Sequence, residues 1–296
     1  MIDKCCFFAG PGIYDAETIN LWLKPQGSEN DVFNKRICRT GMVIGDPLCN
    51  NRMFEYGAME LLETALKVRK ENAEPVFQTP LYITDRNIKE VQQQVSYLYH
   101  RFHIRRFLVQ DIGILQWMKT AFEDIYVIWS RLGFGRGALI NEPFVRFLKG
   151  AGVNGLETNR IELIKALPEY GIDPWPIYGY KVWNSVCREC YSKYAMEQFD
   201  GSCERICRDS SKQMLLKRKA EKEKLPDQNS PDNPDTSFFT MSVDGHYLGE
   251  KYLYSKNQEY LRAAAQSGQP IMIYGKNISE VILHEMEFIR NSISSS

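Results

Sequence analysis

Short β-rich runs alternate with helical patterns through most of this chain, and that alternation is the strongest constraint on its fold. The runs lie at 5–10, 37–45, 75–84, 105–111, 125–130, 153–157 and 175–183. Between them the apolar residues recur at helical spacing. The clearest case spans about 53–70, where Leu61, Leu62, Ala65 and Leu66 share one face. Shorter helical patterns lie at 16–23, 114–122, 142–149 and 160–167. Asp85 stands where an N-cap would start a helix over 86–102.

About seven such units precede a cysteine-rich segment. Strand–helix alternation of this length implies a parallel sheet with crossover helices. The most economical form is an α/β fold of the (β/α)8 TIM-barrel type, with a cysteine-rich metal-binding loop after a late strand. An open doubly wound sheet is the runner-up. The glycine run at Gly133, Gly135 and Gly137 follows a strand, but its spacing is wrong for dinucleotide binding.

The sequence predicts one barrel-like domain over 1–296, with the metal-binding segment at 183–210 and a flexible loop at 216–237. That loop reads LKRKAEKEKLPDQNSPDNPDTS and offers little to bury. Beyond it, FFTMSVDG and YLYS read as a strand pair. A helix at 256–266, a strand at 270–275 and a helix at 277–292 complete the domain.

Lys+Arg and Asp+Glu number 37 each, so the chain lacks the basic excess that argues for nucleic acid. No apolar run is long enough to span a membrane, and the N-terminal apolar stretch is too short for a secretory signal. These features point to the cytoplasm. There, eight cysteines in 296 residues are metal-binding, catalytic or buried rather than a disulfide scaffold.

Four of them crowd the segment WNSVCRECYSKYAMEQFDGSCERICRDSS. Cys187, Cys190, Cys203 and Cys207 have the spacing Cys-x2-Cys-x12-Cys-x3-Cys. Thiolates at such separations select zinc or an iron–sulfur cluster. Four local cysteines would close a structural zinc site. An iron–sulfur cluster also takes four ligands, one of which can come from far away in sequence.

GSCERICR resembles the Gly-x-Cys-x3-Cys-Arg signature of the collagenase-like peptidase family, U32. Ser185-Val186-Cys187 resembles its Ser-Gly-x-Cys element, GDPLCNNR at 45–52 its Gly-(acidic)-x-x-Cys-x-x-Arg element, and LVQDIGIL at 108–115 its VxDxG strand end. The resemblance covers roughly 37–210. It implies a barrel-like catalytic domain. In the branch serving oxygen-independent hydroxylation, it also implies a [4Fe-4S] cluster held by one early and three late cysteines. Carried over, those ligands are Cys49, Cys187, Cys203 and Cys207, with Cys190 the alternative fourth ligand. Short members of that branch work as one half of a heterodimer, so the implied partner is a homologous subunit or an electron donor. A barrel would let this work if Cys49 and Cys187 both follow barrel strands, since such loops gather on one face.

Further polar residues at predicted strand ends are Asp46, Arg52, Gln110, Asp111, Asn141, Glu142, Glu157 and Arg160. Asp111, Glu157 and Arg160 are the catalytic candidates: an inward carboxylate, and a carboxylate–guanidinium clamp on substrate. Each has a plainer reading, as a helix cap or a surface pair. Tyr178, Tyr180 and Trp183 fall on one predicted strand and could line an aromatic pocket or simply fill the core. His100 and His103 have no carboxylate or cysteine at matching spacing. No Gly-x-Ser-x-Gly, His-Glu-x-x-His or P-loop motif occurs.

Three functions follow as expectations. The first is a redox enzyme or subunit modifying a small molecule, with RNA-base hydroxylation as a variant that the neutral charge disfavours. The second is a peptidase, for which no nucleophile–base pair is visible. The third is a zinc-stapled, non-catalytic partner protein.

Overall fold

The computed structural model describes residues 5–12, 37–45, 63, 67–68, 73–80, 83, 85, 87–131, 140–186, 215–219, 238–244, 247–253, 257–274, 288–289 and 292. Eight of its strands form a closed barrel. They are β1 (Cys5–Gly12), β2 (Ile37–Ile44), β3 (Glu74–Gln78), β4 (Arg106–Val109), β5 (Tyr126–Trp129), β6 (Gly155–Thr158), β7 (Asp173–Tyr178) and β12 (Ile271–Ile273). Neighbours pair in sequence order and in parallel, and β1 closes the ring against β12 through Phe7↔Ile271, Phe8↔Met272 and Ala9↔Ile273. Parallel strands need crossovers, and the described helices supply them. These are α1 (Ile88–Phe102), α2 (Ile112–Ala121), α3 (Glu142–Gly150), α4 (Ile161–Ala166), continued by a 3-10 turn at Leu167–Tyr170, and α5 (Gln258–Gln266).

The chain divides into two compact units where the sequence reading places one domain. The barrel unit comprises Met1–Tyr180 and Tyr252–Ser296, and the second unit is Lys181–Lys251. In the second, β8 (Tyr180–Val186), β9 (Leu215–Lys219), β10 (Phe238–Asp244) and β11 (Tyr247–Leu253) form a sheet in the order β8-β11-β10-β9. The expected pairing of FFTMSVDG with the strand after it is present as an antiparallel hairpin.

Three expectations are corrected. The single strand at 175–183 is two strands in different sheets, because Gly179 between them takes φ 77 and cannot continue an extended run. The start of the predicted loop at 216–237 is strand: Leu215–Lys219 pairs with residues 238–242, and 220–237 lie outside the described residues. Helix α1 begins after Asn87, not Asp85. Asn87 has helical dihedrals (φ −101, ψ −9) and makes no capping bond, since a side-chain cap needs extended geometry there. The predicted helix at 16–23 lies outside the described residues, as do most of 53–70 and 277–292, of which Glu63, Lys67, Val68, Phe288, Ile289 and Ser292 are helical.

Strand periodicity sorts the barrel's side chains into an inside and an outside. Ile44, Phe77, Phe107, Val109, Val127, Trp129 and Leu156 pack outward with Val91, Val95, Leu98, Leu115, Met118, Val145 and Leu148 of the helices. Their strand neighbours Val43, Val76, Leu108, Ile128, Trp175, Ile177, Met272 and Tyr274 form a separate buried cluster inside the ring. At the N-terminal end this interior closes with polar and aromatic groups. Arg106 pairs with Glu74 at 2.9 Å and lies over the Tyr126 and Trp175 rings. Tyr126 donates to Asp173 at 2.5 Å and accepts from Trp175 Nε1 at 3.2 Å.

Gly155 makes room for that plug. A Cβ on it would stand 2.7 Å from the Trp175 indole and 3.2 Å from the Tyr126 hydroxyl. Overpacking of this kind costs about 1–3 kcal/mol. Gly155→Ala should lower the urea midpoint accordingly, and the double variant Gly155→Ala with Trp175→Phe should lose less than the sum of the two single losses.

Candidate functional site

The alternation that fills the barrel's middle with apolar groups brings polar ones to its C-terminal end. Two residues beyond Val76, Leu108, Ile128 and Met272 stand Gln78, Gln110, Ser130 and Tyr274, and Glu157 is their counterpart on β6. This is the end at which barrel enzymes carry their active sites. All five are buried.

Glu157 is the centre. Its Oε2 accepts the Ser130 hydroxyl and the Arg131 N–H, both at 2.9 Å, and its Oε1 accepts the Tyr274 hydroxyl at 2.5 Å. Burial pushes its pKa above the usual carboxylate range, while the three donors and the nearby Arg131 charge pull it back. Gln78 Nε2 reaches Ser130 Oγ at 3.4 Å, and Gln110 Nε2 donates to the Thr79 carbonyl at 2.8 Å. Gln78 Oε1 and Thr79 Oγ1 are buried with no hydrogen-bond partner. Unpaired buried groups cost about 1–3 kcal/mol each and are few in folded proteins.

Backbone features hold the layer. Gly45, just past β2, has φ 133, and a Cβ there would lie 2.5 Å from the Gln78 carbonyl oxygen. Tyr260 of α5 is 2% exposed. Its hydroxyl lies 3.0 Å from the Thr158 carbonyl and 2.8 Å from that of Ile177, and accepts the Ile177 N–H at 2.9 Å. One phenol thus ties β6 to β7 beside Glu157.

Sequence reasoning picked out Gln110 and Glu157, and the structure brings both into this layer. It places Asp111 as the N-cap of α2, accepting from Ile114 N at 2.9 Å, and Asn141 as the N-cap of α3, accepting from Phe144 N at 3.1 Å. Glu142 is paired with Arg146 at 2.7 Å on the exposed face of α3. Arg160 pairs with Glu162 at 3.5 Å and is not brought to Glu157, because it sits at the N-cap position of α4, where the chain turns outward. Cys49, Cys187, Cys190, Cys203 and Cys207, with Asp46 and Arg52, lie outside the described residues. One part of the cysteine argument changes. Cys187 follows β8, a strand of the second unit's sheet, so the rule that loops gather at one barrel face does not place it. Cys5 and Cys6 lie on β1 and Cys38 on β2.

Sequence reasoning missed Gln78, Ser130 and Tyr274. The signal was present: each continues the alternate-residue register of an apolar strand by one inward position.

No protein-family profile matches this chain, and no curated protein sequence matches it. Among solved structures it is similar to the U32 peptidase Mk0906, with 9% identity and a TM-score of 0.45 over 93% of this chain and 95% of that one. It is also similar to a class V chitinase mutant from Cycas revoluta in complex with (GlcNAc)3, with 10% identity and a TM-score of 0.30 over 97% and 99%. Likenesses of this size carry neither family nor activity to this chain.

Glu157 titrates in a predictable direction. Its native pKa lies above its ordinary 4.5. The folded state therefore holds the proton more tightly than the unfolded state, and stability falls as pH rises from about 4.5 through the raised value. Glu157→Gln should abolish that slope in urea unfolding measured across pH. An unchanged slope in the variant would mean that other groups cause it.

Proposed function

We propose that this chain is an iron–sulfur enzyme, or enzyme subunit, of the collagenase-like peptidase type. It acts in oxygen-independent hydroxylation or a related redox modification of a small molecule. The observation that carries the proposal is the cysteine set. Three late thiols in the GSCERICR and SVC elements, with Cys49 in GDPLCNNR, match the ligand order that the resemblance implies. The donor chemistry fits, since thiolates are the usual ligands of such clusters. Cys49, Cys187, Cys203 and Cys207 would hold a [4Fe-4S] cluster, with Cys190 outside the set. When bound, such a cluster supplies electron transfer at a potential set by its surroundings.

The barrel's own residues support an enzyme over a passive partner. Glu157, Ser130 and Tyr274 form a buried, proton-bearing network at the end of the ring where substrates bind. Peptidase chemistry gains nothing from it. Ser130 is bonded to a carboxylate rather than to an imidazole, and His100 and His103 lie exposed on or after α1. A homologous subunit or an electron donor is the proposed partner, and the cytoplasm the proposed compartment. Among the described residues no helix is long and apolar enough to cross a membrane.

Anaerobic purification with visible absorption and metal analysis tests the reading. A brown protein with a broad band near roughly 400 nm is expected, lost in Cys49→Ser and kept in Cys190→Ser. Colourless protein holding about one zinc, sensitive to Cys190→Ser and indifferent to Cys49→Ser, would leave the cysteines as a structural staple.

A further inference from the structure

We infer that residues 187–214, which carry Cys187, Cys190, Cys203 and Cys207, cover the apolar face of the second unit's sheet, so that this face forms one wall of the metal centre. The covering holds whichever metal is bound. The wall rests on the proposed function, in which these thiols are ligands.

Topology makes the first part of the case. β8 and β9 are consecutive in sequence, yet the strand order β8-β11-β10-β9 places them at opposite edges of the sheet. The chain between Val186 and Leu215 therefore has to cross three inter-strand gaps, about 14 Å. An extended chain covers that distance with about five residues. Residues 187–214 are far longer than the crossing needs, and the excess can spread over a face.

The strand registers say which face. β10 pairs with β9 and β11, and alternation sorts the paired residues into two sets. Leu216 beside Met241 and Val243 beside Leu248 share one face with Phe239, and Arg218 is the one charge among these paired residues. The other face has Lys217 beside Thr240, Lys219 beside Phe238 and Asp244 beside Tyr247, with Ser242 between. A sheet buries its apolar side against another layer, so the first face is the one to be covered.

Composition picks the cover. The compact unit Lys181–Lys251 takes in 187–214 together with the sheet. Its other long connection, 220–237, reads AEKEKLPDQNSPDNPDTS, with Leu225 its one large apolar residue. Residues 187–214 instead contain Tyr191, Tyr194, Met196, Phe199 and Ile206. In sequence, Cys187, Cys190, Tyr191, Tyr194 and Ala195 recur at helical spacing, as do Cys203, Ile206 and Cys207. The stripe suited to an apolar sheet is thus the stripe that bears the four thiols. An apolar shell of this kind controls solvent access to a metal site and hence its potential.

Adjacent Phe238 and Phe239 belong to opposite faces and provide the test. Each is replaced in turn, in the full-length protein, by the photo-crosslinker p-benzoylphenylalanine, an enlarged phenylalanine. Irradiation and tryptic mapping should join position 239 to 187–214, above all to the peptide 194–205, at least tenfold more than position 238. Cross-links from 239 chiefly to residues outside 187–214, equal yields from both positions, or none from 239 overturns the inference. Should either variant fail to fold, Leu248 and Tyr247 supply the same comparison of faces. Iron and zinc analysis of the same samples reports separately on the ligands. A metal-free protein that still cross-links from 239 to 187–214 would refute the proposed metal centre and leave the covered face standing.

Discussion

Everything in the barrel depends on the pairing of β1 with β12, which joins Cys5–Gly12 to Ile271–Ile273 across nearly the whole chain. A parallel sheet left open would expose two edges of unpaired N–H and C=O groups. Closing it removes both edges and gives the strands a common interior. Strands β7 and β12 are neighbours in the ring although the residues of the second unit, Lys181–Lys251, separate them in sequence. A contact of such long sequence separation is slow to form and is rewarded only after the loop-closure entropy has been met.

Closure also explains why inside and outside differ in chemistry. Outward positions such as Phe77, Phe107 and Trp129 meet amphipathic helices with apolar side chains. Inward positions meet one another and vary along the axis. The N-terminal end is sealed by the Arg106–Glu74 pair and the Tyr126–Trp175 contact, the middle by Val43, Val76, Leu108 and Ile128. The C-terminal end carries amides, a serine, a tyrosine and a carboxyl group. A buried carboxylate is tolerated only when hydrogen-bonded, and Glu157 has three donors. The unpaired oxygen of Gln78 in the same layer is hard to explain as packing alone, and local inconsistency of this kind is expected where function competes with stability.

The sequence by itself determined the barrel part of the architecture. All seven β-rich runs ahead of the cysteine-rich segment overlap a barrel strand, and the run at 270–275 supplies the eighth. Periodicity alone reveals this, because each strand needs an apolar outer face and each crossover helix an amphipathic one. The caps at Asp111 and Asn141 were legible too, since their chemistry is local. What the sequence left open is whatever depends on backbone conformation or on distant partners. The break at Gly179 requires a positive φ that a Tyr-Gly-Tyr run does not announce. The Glu157 cluster draws on β3, β5, β6 and β12, and Tyr274 lies 117 residues from the carboxyl it contacts. Arg160, three residues from Glu157 and its natural partner on paper, turns instead to Glu162, because the strand ends between them and the chain changes direction. Local physics fixed the elements and most of their caps. Only ring closure decided which polar residues meet, since it alone brings separate strand ends into one layer.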